Sequence, residues 1–183
     1  MSIWIALDSA RSGKHGTGEA KTCGNYAAGV LAPQEGYAHG CSHVWYVAAE
    51  TSSSVEELDG MNQLFVYKDG SVVTPSLDGT ILHGITRDSI VILLKDSGHE
   101  VQERKITLEE VRQSIQSGDI IEVFACGTAA VVTPVGLFKS REEEISIGNN
   151  EPGALTVAMR EELTGIQYGT VKDRHNWMHK LAD

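Results

Sequence analysis

Ile120-Ile121-Glu122-Val123-Phe124-Ala125-Cys126-Gly127-Thr128-Ala129-Ala130-Val131-Val132-Thr133-Pro134-Val135 holds two β-rich runs, Ile120 to Cys126 and Val131 to Val135, parted by a four-residue turn. Working back from it, Thr107-Leu108-Glu109-Glu110 fits a capping box, which predicts a helix from Leu108 to about Ser117. Val101 to Ile106 reads as a strand. Thr86 to Ser97 reads as a helix with apolar Ile90, Val91, Leu93 and Leu94, closed by Gly98. Working forward, Gly153 to Ile166 is an amphipathic helix. Strands and helices mixed in this way predict an α/β (mixed α+β) domain with a barrel-like sheet surrounded by helices.

The first part of the chain is less regular. Ile3 to Leu7 reads as a strand, and Asp8 to Ala20, rich in Gly, Ser and charge, as a surface loop. From Asn25 to Leu31 the pattern is helical, but Pro33 and Gly36 predict a kink or break, with Pro33 costing about 3 kcal/mol inside a helix. His43 to Ala49 and Leu64 to Tyr67 look like strands, the second turning back through Lys68-Asp69-Gly70 into Ser71 to Thr74. Between them, Glu50 to Gly60 is polar.

At 183 residues one domain is the default. The apolar fraction of 41% and charged fraction of 22% are ordinary for a globular protein, and no apolar run approaches the ~20 residues needed to cross a bilayer. The N-terminus lacks a secretory pattern, and Cys23, Cys41 and Cys126 are odd in number and widely spaced, so a reducing, cytoplasmic setting is expected. A formal net charge of -10 disfavours nucleic acid, and any bound phosphate must be held locally by N–H groups and hydroxyls.

Four places carry candidate chemistry. Lys21 stands between a Gly-rich loop and a helical pattern, with Tyr26 five residues on. A lysine amine made neutral by its surroundings can link covalently to an aldehyde, although most lysines after such loops are solvated. Leu82-His83-Gly84-Ile85-Thr86-Arg87-Asp88 puts a glycine turn before a helix, leaving the Ile85 and Thr86 N–H groups free for an anion unless this is an ordinary helix start. Gly127-Thr128-Ala129-Ala130 offers a hydroxyl and two N–H groups, and Glu56-Glu57 adds a carboxylate pair that alone would read as a solvated face. His175 and His179 have ligand-like spacing but no partner motif, so no metal is expected, and Cys126 reads as a buried small hydrophobe.

In order, the runs Gly16-Thr17-Gly18-Glu19-Ala20-Lys21, Gly24-Asn25-Tyr26-Ala27-Ala28, Glu56-Glu57-Leu58-Asp59-Gly60-Met61-Asn62, Leu82 to Asp88, Glu122 to Ala130 and Leu163-Thr164-Gly165-Ile166-Gln167-Tyr168-Gly169 closely resemble the branched-chain aminotransferases, fold type IV enzymes of pyridoxal 5′-phosphate. The resemblance implies that Lys21 anchors the cofactor and moves the proton between substrate and cofactor. It implies that Glu57 pairs with the pyridine nitrogen, though a shift of one residue would hand that role to Glu56. Tyr26 is implied near the ring hydroxyl and Leu82 against the ring. Ile85 and Thr86 N–H groups and the Thr128 hydroxyl are implied at the phosphate, and Ala129 and Ala130 N–H groups at the substrate carboxylate.

The match is to the large C-terminal domain, so residues 1–183 are expected to form that domain, with the family's small N-terminal domain and its phosphate-binding arginine absent. Arg87 and Arg11 are the nearest arginines by sequence position. His83 replaces the usual proline of the phosphate turn, Cys23 a common glycine, Pro33 interrupts a helix, and the short linker Thr51-Ser52-Ser53-Ser54 replaces a more ordered approach to the glutamate. The implied activity is transamination of leucine, isoleucine or valine with 2-oxoglutarate. The alternatives are a non-catalytic fragment and a split enzyme completed by a separate small domain. An exposed apolar patch is expected in either case, covered by a homodimer or by that complementing domain.

Overall fold

The computed structural model describes residues 1–49, 51 and 53–181, apart from the Ala28 side chain. Glu50 and Ser52, in the expected polar stretch and linker, lie outside the described residues.

Two five-stranded mixed sheets face each other across the main core. One runs in the order β10 (Glu144–Ser146), β9 (Leu137–Lys139), β1 (Ser2–Ala6), β2 (His43–Val47), β3 (Val55–Leu58). The other runs β6 (Val101–Arg104), β5 (Val72–Pro75), β4 (Asn62–Tyr67), β7 (Ile120–Gly127), β8 (Val131–Val135). The sheets join at two edges, through Asp59-Gly60 between β3 and β4 and through Gly136 between β8 and β9, which gives the barrel-like form.

Alternation along the strands explains the layers. Phe65 points into the inter-sheet core with Ile3, Ile5, Trp45, Val123 and Phe138, where Trp45 and Phe138 stack with ring centroids 4.4 Å apart. Its neighbours Leu64 and Val66 point outward, against Ile90 and Leu94 of α3 (Ile85–Asp96) and Met159 and Leu163 of α5 (Ala154–Gln167). The outer face of the other sheet, Trp4, Val44 and Tyr46, is covered by α2 (Leu31–Ala38) through Ala32.

Several expectations hold. Gly98 closes α3 in the left-handed region at φ 84°, and Gly70 does the same in the β4–β5 hairpin at φ 87°. α4 (Leu108–Ser117) starts on Thr107, whose Oγ1 accepts from the Glu110 N–H at 3.0 Å. Only half of the capping box forms, because the Glu110 carboxylate turns instead to Arg104, 2.5 Å away.

Others are corrected. The stretch read as polar contains β3, buried on every residue, with Glu56 5% and Glu57 1% exposed. The helix expected over Asn25 to Leu31 is two, α1 (Cys23–Ala28) and α2, parted at Gly29 and Val30. Pro33 is the third residue of α2, where the N–H it lacks would have no partner within the helix, so the expected cost does not arise. β9 and β10, three residues each, are too short for periodicity to reveal. Among the described residues no helix is long and apolar enough to cross a membrane.

The N-terminus of α5 takes its cap from another element. The Glu122 carboxylate on β7 accepts from the N–H groups of Leu155 at 3.1 Å and Thr156 at 2.8 Å and from the Thr156 hydroxyl at 2.8 Å. A Cβ on Gly153 would fall 1.9 Å from Glu122 Cδ, so the helix start must be glycine for the carboxylate to fit. Glu122→Ala should lower unfolding free energy in urea by about 1–3 kcal/mol. An unchanged urea midpoint would show that the cap contributes nothing.

Candidate active site

Lys21 is delivered by a clamped loop. Asn25 in α1, 5% exposed, donates from Nδ2 to the carbonyls of Thr17 at 2.7 Å and Ala20 at 2.9 Å, while its Oδ1 accepts from Thr17 Oγ1 at 2.7 Å. Gly18 lies against Thr80 so closely that a Cβ would sit 2.5 Å from Thr80 Cα. Lys21 Nζ then donates to the Tyr26 hydroxyl at 3.0 Å and lies 5.0 Å from that ring's centroid.

Glu57 comes from β3, and the alternation of the strand separates it from Glu56. Glu57 lines the same cavity as Lys21, whereas Glu56 lines a small pocket with Ser12 and Thr80. The Leu82 N–H donates to Glu57 Oε1 through a very short hydrogen bond. Arg11 Nε lies 3.2 Å from Oε2, near enough for charge attraction but not aligned as a hydrogen bond, so Oε2 is buried with an unused lone pair. Burial pushes the Glu57 carboxyl up to about 7, with the Arg11 guanidinium, the Leu82 N–H and Lys21 pulling it down and Glu56 pushing it up.

The turn before α3 is braced by Asn62. Its Nδ2 donates to the Leu82 carbonyl at 3.0 Å, and its Oδ1 would be 2.1 Å from a Cβ on Gly84, so a side chain there would have to push the Asn62 amide out of its place against the turn. No acceptor meets the N–H groups of Ile85 or Thr86 among the described residues, and the positive end of the helix dipole lies there.

The β7–β8 turn is held from outside. Arg160 on α5 donates to the carbonyls of Val132 at 2.6 Å and Ala130 at 3.3 Å, and Thr133 Oγ1 donates to the Ala130 carbonyl at 2.8 Å. Val131 is forced to φ 55°, an uncommon conformation for a β-branched residue.

These segments meet. Lys21, Glu57, Leu82, Ile85, Thr86, Thr128, Ala129 and Ala130 line one cavity of about 720 Å³, and Tyr26 joins it through its bond to Lys21. The arginines nearest in sequence do not serve as free cations. Arg87 is tied to the Pro75 carbonyl at 3.1 Å and to Glu103 at 2.9 Å, and Arg11 to Glu57. His83 pairs with Glu19 at 3.3 Å. His175 pairs with Asp96 at 2.7 Å and stacks on Trp177. Cys126 is fully buried, its thiol pushed up to about 12 by burial. Asn25, Asn62 and Arg160 were not singled out from the sequence, and Arg11 was named only for its place near the missing arginine, not for its bonds. Their side chains bond to carbonyls and a carboxylate far along the chain, which no local pattern reveals.

The family model described as amino-transferase class IV matches residues 1–138. The chain belongs to the class IV aminotransferases. Among relatives of this class IV aminotransferase chain is the probable branched-chain-amino-acid aminotransferase of Streptomyces coelicolor, 46% identical over 182 residues, covering 100% of this chain and 50% of the relative. The branched-chain-amino-acid aminotransferase of Mycolicibacterium smegmatis is also 46% identical, over 99% of this chain and 50% of its own length. Of solved structures, the Escherichia coli branched-chain amino acid aminotransferase superposes with a TM-score of 0.83 at 28% identity, covering 100% of this chain and 58% of that one. The T.th. branched-chain amino acid aminotransferase complexed with N-(5′-phosphopyridoxyl)-L-glutamate gives 0.81 at 32% identity, over 96% of this chain and 55% of that one. This class IV aminotransferase chain spans about half the length of the curated relatives it matches.

Proposed function

We propose that the chain carries the pyridoxal 5′-phosphate site of an enzyme that transfers the amino group of leucine, isoleucine or valine to 2-oxoglutarate. The observation that carries this reading is the Lys21 amine 3.0 Å from a phenol, on a cavity that also holds a buried carboxylate with a free lone pair. A protonated pyridine nitrogen is the complement of Glu57 Oε2, and a dianionic phosphate that of the free Ile85 and Thr86 N–H groups. When bound, the cofactor supplies a ring that accepts electrons from the substrate carbon.

The chain's own groups then have distinct tasks. Lys21 holds the cofactor and takes and returns the α-proton, with Tyr26 as its hydrogen-bonded neighbour. Glu57 keeps the ring nitrogen protonated, Leu82 packs against the ring, Thr128 adds a hydroxyl to the phosphate, and Ala129 and Ala130 offer N–H groups to the substrate carboxylate. Cys23, Cys41 and Cys126 are all unbonded, which supports a reducing, cytoplasmic setting.

Partners follow from the same reading. Ile85 at the cavity is 86% exposed, and Val30, Leu31 and Tyr37 on the α1–α2 side are 60%, 77% and 57% exposed. These apolar surfaces suit cover by a second copy or by a complementing domain of the kind that makes up the rest of the relatives' length.

The test is to incubate the chain with pyridoxal 5′-phosphate, reduce with borohydride and locate the pyridoxyl label by peptide mass. Label on Lys21, followed by glutamate formation from leucine and 2-oxoglutarate, supports the assignment. No label on Lys21 refutes it.

A further inference from the structure

We propose that Arg11 is a positioning residue for this site, its buried guanidinium tying the Lys21 loop, the approach to the Leu82–Thr86 turn and the Glu57 carboxylate to one point. This rests on the cofactor reading above. Arg11 is 3% exposed, yet it lies in a segment with no helix or strand to hold it. Its Nη2 donates to the Gly18 carbonyl at 2.9 Å and to the Thr80 carbonyl at 2.5 Å, while Nε lies 3.2 Å from Glu57 Oε2. Gly18 stands three residues before Lys21, and Thr80 two before Leu82. Ser12 reinforces the same junction, donating to the Thr80 carbonyl at 2.8 Å.

Both loops lack a strand ladder of their own, so their spacing depends on such side-chain ties. Glu57 is faced by three charges, Arg11 and Lys21 attracting and Glu56 repelling, and Arg11 is the strongest attraction. Without it, the carboxylate would be protonated more readily and could no longer accept a hydrogen bond from the ring nitrogen at that oxygen. Arg11 therefore acts on the cofactor's protonation through Glu57, which it holds charged and in place, rather than by touching the cofactor.

The experiment compares Arg11→Met and Arg11→Lys, each in the natural chain and in a Glu57→Gln background. In the cofactor-free chain, the Glu57 carboxyl titration followed by ¹³C NMR should move up by about one pH unit or more in Arg11→Met. In the loaded chain, the pH midpoint of the bound cofactor's visible absorbance should shift in Arg11→Met, return part of the way in Arg11→Lys, and stay put when residue 57 is already glutamine. A variant that melts earlier but keeps both midpoints would reduce Arg11 to a structural strut and overturn the proposal. Where Arg11→Met alone does not fold, the paired Arg11→Met, Glu57→Gln chain removes both buried charges together. Its absorbance midpoint should equal that of Glu57→Gln, and a further shift overturns the proposal. A natural chain that takes up no cofactor sinks the functional reading, while the cofactor-free titration still decides Arg11.

Discussion

On the proposed function, Lys21→Ala should abolish the borohydride-fixed label and lower transamination by about 10³-fold or more, the loss expected when one group serves as both covalent anchor and proton carrier. The same substitution should leave the fold almost untouched. Lys21 is exposed, and its contacts are the Tyr26 hydroxyl at 3.0 Å and the face of that ring, so unfolding free energy should change by no more than about 0.5 kcal/mol. The combination separates chemistry from collapse. Peptide mass mapping and a urea titration on the same preparation suffice, and a label that persists at full occupancy in Lys21→Ala would move the anchor elsewhere.

The second large effect concerns Glu57 in the cofactor-free chain. Its carboxyl is pushed from an ordinary 4.5 to about 7, mainly by burial, so the folded chain holds a proton there that the unfolded chain has already released. The folded state binds more protons between those two values, and stability falls as pH rises through that window. Glu57 thus contributes fully below about 4.5 and loses that contribution as pH rises through about 7, a swing on the order of 3 kcal/mol. Urea unfolding at a series of pH values should show this decline in the natural chain and not in Glu57→Gln. Parallel pH profiles for the two chains would mean that Arg11 and the Leu82 N–H keep the carboxylate ionised throughout.

Much of the fold is legible where local chemistry is decisive. The Thr107 cap, the Gly70 and Gly98 turns and the apolar runs of β4 and β7 each fix their element with residues a few positions apart. The Glu56-Glu57 strand is not legible in that way. Two adjacent carboxylates read as solvent-facing unless their partners are known, and those of Glu57, Arg11 and the Leu82 N–H, lie elsewhere in the chain, as does Gln63, which donates to the Glu56 backbone carbonyl at 2.9 Å. The site divides similarly. Lys21, Tyr26 and the two N–H-bearing turns are visible as short patterns, and family order brings them together. Their braces, Asn25, Asn62, Arg11 and Arg160, act across the fold and leave no periodic trace.

The Glu122 cap and the Arg160 bonds give α5 a grip on both ends of one strand turn: the carboxylate of β7 holds the helix start, and the helix returns a guanidinium to Ala130 and Val132. Helix and turn should therefore open together or not at all, so the amides of Leu155 and Thr156 would exchange with deuterium at the pace of β7 rather than fray as a helix end. A surface helix would then set how often the floor of the cavity loosens.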